Sequence, residues 1–323
     1  MYMPVNHVIK AGLITLSVVL SQGCVVHIED NQFDELDYFP QRELVDAYAP
    51  SKLTVATWNV EHLAYPIDTG CKPRTAVQIN AMREYVQDVD ADIFALQEVA
   101  SERAVRLLFP ADTWQVFMSP RPDSEAYECR GSGQSSTQQK VAYAVKNNIK
   151  VTRAQELSAL GLDQPGLRYG LELDIQSELG SVTLLNVHMK SGCFVDNYLR
   201  SNRESCQIFA QQAPILDAWV EAQENNGIQY VILGDFNHRL SAPYNHLTRQ
   251  LMANSDGSES SLYHTTAQLI GCHPYYPAPI DLVFVGGMKQ RHYDYVYQAH
   301  TFADMQPKEM LSDHCAVSLE IKE

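Results

Sequence analysis

Basic residues are scarce in this 323-residue chain: 24 Lys and Arg stand against 39 Asp and Glu, giving a formal charge of −15 and a pI near 5.1. That balance excludes a broad positive footprint for duplex DNA or an anionic membrane, while a locally positive cleft remains open to it. No apolar run is long enough to span a bilayer. There is no repeat of fixed period and no low-complexity tract. Structural zinc is excluded by spacing, because no Cys-x-x-Cys or His/Cys cluster occurs. A serine or cysteine nucleophile also lacks its signature. Ser191-Gly192-Cys193 follows a histidine closely, but nothing nearby would activate the thiol.

What is present is an ordinary globular composition, 45% apolar and 20% charged, with length for one large domain or two modest ones. Lys10, the apolar run from Ala11 to Leu20, and Ser21-Gln22-Gly23-Cys24 read as an export signal over residues 1–23. The expected destination is therefore periplasmic, outer-envelope or secreted. Cys24 is a candidate lipidated residue and membrane tether, although Ser21 stands where the lipoprotein pattern has Leu or Val. Six further cysteines, at 71, 129, 193, 206, 272 and 315, permit disulfides in an exported chain. Cys193 and Cys206 bracket a short loop and form the favoured pair, followed by Cys71 with Cys129. Cys315, inside an apolar strand, reads equally as a buried free thiol.

Residues 24–51 form an acidic linker or wrap, and the folded domain is expected over 52–323. Strands are predicted at Leu53–Val60, Ile93–Leu96, Trp114–Met118, Val141–Val145, Leu167–Ile175, Val182–Val187, Ile228–Leu233, Ile280–Val285 and Cys315–Ile321. Met288 to Tyr297 should hold a partner for the strand at Ile280. Helices are predicted over Thr75–Val89 and over Ser201–Ala222, the second interrupted or readjusted at Pro214. Ser119 to Gln139 and Ala242 to Pro279 read as long excursions beside a site. Strands and helices mixed along one span favour a single α/β domain.

One grammar recurs six times: a polar group at or next to the end of an apolar strand. These groups are Asn59, Gln97 with Glu98, His188, Asp235 with Asn237, Asp281, and Asp313-His314. Open α/β sheets gather such groups from distant positions at one rim. Taken singly, each is an ordinary strand-end or turn residue.

In Trp58-Asn59, Leu96-Gln97-Glu98-Val99, Asn186-Val187-His188, Gly234-Asp235-Phe236-Asn237, Ile280-Asp281 and Ser312-Asp313-His314, in that order, the chain resembles the endonuclease/exonuclease/phosphatase superfamily, the deoxyribonuclease I-like fold. The likeness spans roughly residues 52 to 321. It implies a four-layer α/β sandwich, with two mixed β-sheets packed face to face between helices and the site along one edge. By the same resemblance Glu98 holds a magnesium ion, with manganese or calcium as substitutes. Asn59 assists through its carbonyl or a water, and Asp313 belongs to the metal or phosphate site. His314 acts as general base or electrostatic partner, oriented by Asp281. Asp235 positions or deprotonates the attacking water or binds a second cation, Asn237 donates to a phosphoryl oxygen, and His188 stabilises negative charge or protonates the leaving oxygen. Lys190 and Arg203 are further candidates, each read equally as a solvated surface charge, and Glu61 is a weaker one.

The expected activity is metal-assisted hydrolysis of a phosphoester, as a phosphodiesterase or endonuclease. The substrate is a nucleic acid or a phospholipid headgroup, and no obligate protein partner is implied. A sphingomyelinase-like lipid phosphodiesterase is the alternative, favoured by a hydrophobic protrusion at Tyr263 or Tyr275-Tyr276. A basic groove crossing His188 would favour the nuclease. An inactive binding protein on the same scaffold would leave Glu98, Asp235, Asp281 and His314 far apart in space.

Overall fold

The computed structural model describes residues 51–289 and 291–323. The expected export signal, Cys24 and the acidic segment up to residue 50 lie outside the described residues. Twelve strands form two six-stranded mixed sheets, as the sequence led us to expect. The first has the order β11-β12-β1-β2-β4-β3, from Asp294–His300, Ala316–Lys322, Lys52–Leu63, Ile93–Val99, Lys140–Lys146 and Trp114–Met118. The second has the order β5-β6-β7-β8-β10-β9, from Lys150–Leu157, Gly170–Ser177, Gly180–His188, Tyr230–Asp235, Asp281–Gly286 and Tyr263–His264.

The continuous apolar runs explain the layering. Successive side chains of a strand face opposite ways, so a strand apolar at every position needs cover on both faces. Leu53, Val55, Ile93 and Ala95 meet Leu184, Val231, Leu233 and Val283 in the core between the sheets. Their alternates in the first sheet, Ala56, Trp58, Phe94 and Leu96, pack with Ile79, Met82 and Val86 of helix α1 (Ala76–Val89). Those of the second sheet, Leu185, Ile232 and Phe284, pack with Phe209, Leu216 and Val220 of helix α3 (Glu204–Asn225). The short helices α2 (Glu102–Val105) and α4 (His246–Leu251) extend these outer layers.

Among the described residues two strand pairs are parallel, β1 with β2 and β7 with β8, and each is joined by a long helix, α1 or α3. A parallel pair requires such a crossover. Thr75 starts α1 with a reciprocal cap: its hydroxyl accepts from the Gln78 amide at 3.2 Å, and the Gln78 carbonyl accepts from the Thr75 amide at 2.9 Å.

Several expectations need correction. The segment after β10 pairs with β12 in the other sheet (Asp294↔Lys322 to His300↔Ala316), whereas β10 pairs with β8 and β9. Pro214 lies inside a single helix and does not divide it. Strand β5 was not anticipated, because Lys150–Leu157 is a polar edge strand without an apolar face. Cys315 is bonded to Cys272, while the pairs Cys193–Cys206 and Cys71–Cys129 form as expected.

His264 in β9 is buried and stacked on Phe284, with ring centroids 4.1 Å apart and Nε2 without a hydrogen-bond partner. Burial pushes its pKa down to about 4. The unfolded chain, titrating near about 6.5, accepts a proton that the folded state resists, so stability falls as pH drops from the higher value towards the lower. His264→Phe should remove this loss. Between pH 7 and pH 5, urea unfolding should show the wild type losing on the order of 2 kcal/mol more than the variant. Parallel pH profiles would show that His264 does not contribute.

Candidate active site

The inward-facing files of the strands determine where the polar groups meet. Leu53 and Val55 point between the sheets, so the same side of β1 carries Asn59 at its far end. On β7, Val182 and Leu184 lead to Asn186 and His188; on β8, Val231 and Leu233 lead to Asp235. Antiparallel β10 starts at the same rim, where Asp281 precedes Val283 and Val285 on the inward file. Register then sets the neighbours, with His188 opposite Asp235 and Asp235 opposite Asp281. Each strand is apolar in its middle and carries polar side chains as it nears the rim.

Glu98 breaks this parity, and the backbone compensates. It has φ +61°, and the pairing of β2 shifts register there on both sides. The bulge turns its carboxylate towards the rim. Glu61, His62 and Asn237 also take left-handed backbone (φ +48°, +57° and +51°), a concentration of uncommon conformations at one place. Gly234, at φ +148°, has a different origin. A Cβ there would lie 2.0 Å from the Val187 carbonyl oxygen, so only glycine lets β8 pass β7.

Asn59 joins the two sheets. Its Nδ2 donates to Glu98 Oε1 at 3.3 Å and to Asp235 Oδ2 at 3.0 Å, while its Oδ1 accepts from the Glu61 amide at 3.0 Å. Behind it, Gln97 and Asn186 form a second clasp between the sheets, with Nε2 donating to Oδ1 at 2.8 Å. His314 meets Asp281 at 2.7 Å from Nδ1 to Oδ2, and its Nε2 lies 3.9 Å from Asp235 and 3.8 Å from Asp313. The backbone of this histidine is fixed from both sides. The Trp58 indole donates to its carbonyl at 3.0 Å, and its amide donates to Ser312 Oγ at 3.1 Å, which in turn donates to the Asn59 carbonyl at 2.7 Å. Arg74, buried, donates to the carbonyls of Val60, Glu61 and Leu311, fastening the end of β1 to the segment that carries Asp313 and His314.

Electrostatics divides the groups. Burial, reinforced by the positive charge of Arg168, holds His188 well below the usual histidine range. Burial also works against a charge on His314, but Asp281 and Asp235 outweigh it and hold that imidazole well above the usual range. Burial raises the Asp235 carboxyl, and Asp281 adds to the rise against the opposing charge of His314. Two histidines at one rim are thus driven in opposite directions by their neighbours.

The expected groups therefore converge: Asn59, Glu98, His188, Asp235, Asn237, Asp281, Asp313 and His314 gather at one rim of the two sheets. Four residues call for comment against expectation. Both amide hydrogens of Asn237 are committed, to Asp235 Oδ2 at 3.0 Å and the Met189 carbonyl at 3.2 Å, so it braces Asp235 and does not reach outward as a donor. Arg203 is an exposed residue at the start of α3, with no side-chain bond to the site among the described residues. The Lys190 ammonium donates to the Ser191 carbonyl at 2.9 Å. Glu61 is more closely involved than its sequence position indicated, accepting from the Asp313 amide at 3.0 Å and pairing with Lys72 at 3.0 Å.

Two functional neighbours were missed. His62 lies 3.6 Å from Glu98, to which its backbone amide also donates at 3.2 Å. Arg168 precedes β6, donates to the carbonyls of Met189 and Gly166, and keeps Nε buried without a partner; its charge interacts with Glu98 and Asp235. Its signal was the hairpin register. Leu171 pairs with Asn186, so three residues earlier the chain comes level with Met189, one beyond His188.

The oxygen-rich donor set suits a hard divalent cation. Glu98 is partly exposed at the rim, Asp281 Oδ1 is buried without a hydrogen-bond partner, and ligand atoms of Asp235, Asp281 and His314 lie within 4.8 Å of one another.

A model of the endonuclease/exonuclease/phosphatase family matches residues 56–314. Among solved structures, D. rerio TDP2 complexed with a single-strand DNA product superposes with a TM-score of 0.58 at 14% identity, covering 84% of this chain and 100% of that one. The human Nocturnin catalytic domain with a bound sulfate anion gives 0.57 at 14% identity, covering 84% and 93%. A family protein from Bacteroides thetaiotaomicron gives 0.55 at 15% identity, covering 85% and 99%. At such identities the likeness speaks to the fold alone. No curated protein matches the sequence. The family pattern runs from β1 to His314 and takes in every strand end that supplies the rim, and the chain belongs to the endonuclease/exonuclease/phosphatase family.

Proposed function

We propose that this protein is an exported, divalent-metal-dependent phosphodiesterase acting on nucleic acid. The observation that carries the reading is the convergence on one rim of the Asp281–His314 pair, 2.7 Å apart, with Asp235, Asn59 and Glu98 from the facing strands. An inactive scaffold has no need to keep these groups within reach of one another. Glu98 would hold the cation, preferably magnesium, with Asp313 and the second lone pair of the Asn59 carbonyl completing the oxygen set. The ion would neutralise charge on the phosphoryl oxygens and the leaving oxygen.

The chain's own residues do the rest. Asp281 accepts from Nδ1 of His314, which fixes the tautomer and directs Nε2 towards Asp235 and the phosphate. Asp235, oriented by Asn59 and Asn237, takes the proton of the attacking water, while His314, held in its charged form by Asp281 and Asp235, stabilises the negative charge beside it. His188, 3.5 Å from Asp235, would stabilise negative charge that develops on the phosphoryl or leaving oxygen. Arg168 replaces Asn237 as donor to a phosphoryl oxygen. Nucleic acid is favoured by the positive charges of Arg168 and Lys190 near His188, and by the single-strand DNA product bound to the D. rerio relative. Three disulfides support the export reading, since such bonds persist in oxidising compartments.

With magnesium present the protein should hydrolyse plasmid DNA, RNA, single-stranded oligonucleotides or bis(p-nitrophenyl) phosphate. Chelation should abolish the activity, and added magnesium or manganese should restore it. Glu98→Gln and His314→Gln should each lose at least about 100-fold in kcat/KM. Equal rates for wild type and both variants, or sphingomyelin as the sole substrate, would refute the assignment.

Arg168→Met should lower kcat on bis(p-nitrophenyl) phosphate by about 100-fold, the usual effect of deleting one preorganised donor, while His314→Gln remains the slower enzyme. A loss smaller than about threefold would show that Arg168 serves only the loop carbonyls it touches.

A further inference from the structure

A cleft of 560 Å³ opens directly from the catalytic rim, with Asp281, Asp313 and His314 forming its inner end. Its outer walls are of a different character. Tyr275 and Tyr276 stand 71% and 68% exposed on one side, His273 lies between them with ring centroids 5.7 and 4.8 Å away, and Phe194 with Arg239 stands in another wall. The Arg239 guanidinium lies 5.8 Å from the Phe194 ring centroid. Large aromatic side chains exposed inside a concavity, and not scattered on a convex surface, mark a binding site.

The tyrosine loop is braced. Gly271 donates its amide to the Pro277 carbonyl at 2.8 Å, Tyr275 and Tyr276 donate theirs to His273 Nδ1 and carbonyl at 3.1 and 3.0 Å, and the Cys272–Cys315 disulfide ties the loop to the residue after His314. The platform is thus held at a fixed place relative to the catalytic histidine, as a specificity element requires.

We infer that this cleft is a stacking subsite for the nucleobase carried on one side of the scissile phosphodiester. The inference rests on the phosphodiesterase reading above and narrows its substrate to a nucleotide whose base is free to leave a duplex. A substrate with phosphorus beside His314 must send one of its two substituents into the cleft, because the cleft and the catalytic rim share a wall. The lining decides what that substituent is. One arginine set against Asp281 and Asp313 does not suit a second phosphate, and the same arginine opposes a quaternary ammonium group, which aromatic cages otherwise favour. Tyrosine faces, a histidine and an arginine stacked on phenylalanine suit a flat, neutral, polar-edged ring. A nucleobase has that shape and chemistry, and the volume lies within the range of small-ligand pockets.

The test is binding, read by calorimetry or NMR titration with chelator present so that no hydrolysis intervenes. The probes are thymidine 3′,5′-bisphosphate and its abasic deoxyribose 3′,5′-bisphosphate counterpart. In the wild type the base should improve affinity about tenfold. In Tyr275→Ala/Tyr276→Ala the two probes should bind within about twofold of each other, with abasic affinity unchanged, which shows the site still folded. Tyr275→Phe/Tyr276→Phe keeps the ring faces and should keep the tenfold preference. Three results would overturn the subsite: no base preference in the wild type, a preference that survives the alanine variant, or tighter tyrosine-dependent binding of phosphocholine than of the bisphosphate. The preference is read by binding alone, so an intact preference without any hydrolysis counts against the enzyme reading and not against the subsite.

Discussion

The hydrogen bond from Asn59 to Asp235, 3.0 Å long, crosses from one sheet to the other, and the rest of the site depends on it. Two sheets stacked face to face through Val, Leu and Ile contacts can slide, because apolar packing has little direction. Directional bonds do not permit this. Asn59 fixes the two carboxylates of the rim at once, Gln97 with Asn186 repeats the clasp one layer deeper, and His314 with Asp281 makes a third crossing. Each is buried or half-buried, so breaking one leaves a polar group unpaired where water is scarce, a loss of roughly 1–3 kcal/mol. The bonds that specify the sheet-to-sheet register are also those that position the catalytic groups.

Much of this was legible in the sequence for a simple reason. A strand covered on both faces is apolar at every position until it reaches the rim, so the first polar side chain marks both the end of the strand and its emergence from the core. Asp235 and Asp281 obey that rule, Asn59 and His188 follow it less strictly because Thr57 and Asn186 precede them, and all four lie on the inward files of their strands. Glu98 is off the file, and its place depends on a bulge that residue identity alone does not announce. Arg168 escaped because it precedes an antiparallel strand, where its approach to the rim comes from the hairpin register and not from any local pattern. The pairing of β11 with β12 was hidden too: sequence neighbours make the obvious hairpin, whereas the final strand arrives from farther away and takes the partner. Cys315 was ambiguous because a half-cystine inside a strand looks like any small apolar residue, and its partner lies in an irregular excursion.

The same geometry reconciles an acidic protein with an anionic substrate. At −15 the chain as a whole repels long polyanions. Its cations at the site are few but set in or beside buried surroundings, where a charge is screened less than in water. Arg168, half-buried, acts on His188 through its charge, and Arg239 stands in the adjoining cleft with its guanidinium 5.8 Å from the Phe194 ring. Attraction therefore operates at contact range and is weak at long range. Such a protein gains little from sliding along duplex DNA, which relies on a continuous basic track. It gains more from recognising one phosphate and the ring beside it, for which the rim supplies the charge and the tyrosine wall the shape. On the proposed reading, the charge distribution and the position of the aromatic cleft favour short or single-stranded nucleotide substrates over intact duplex.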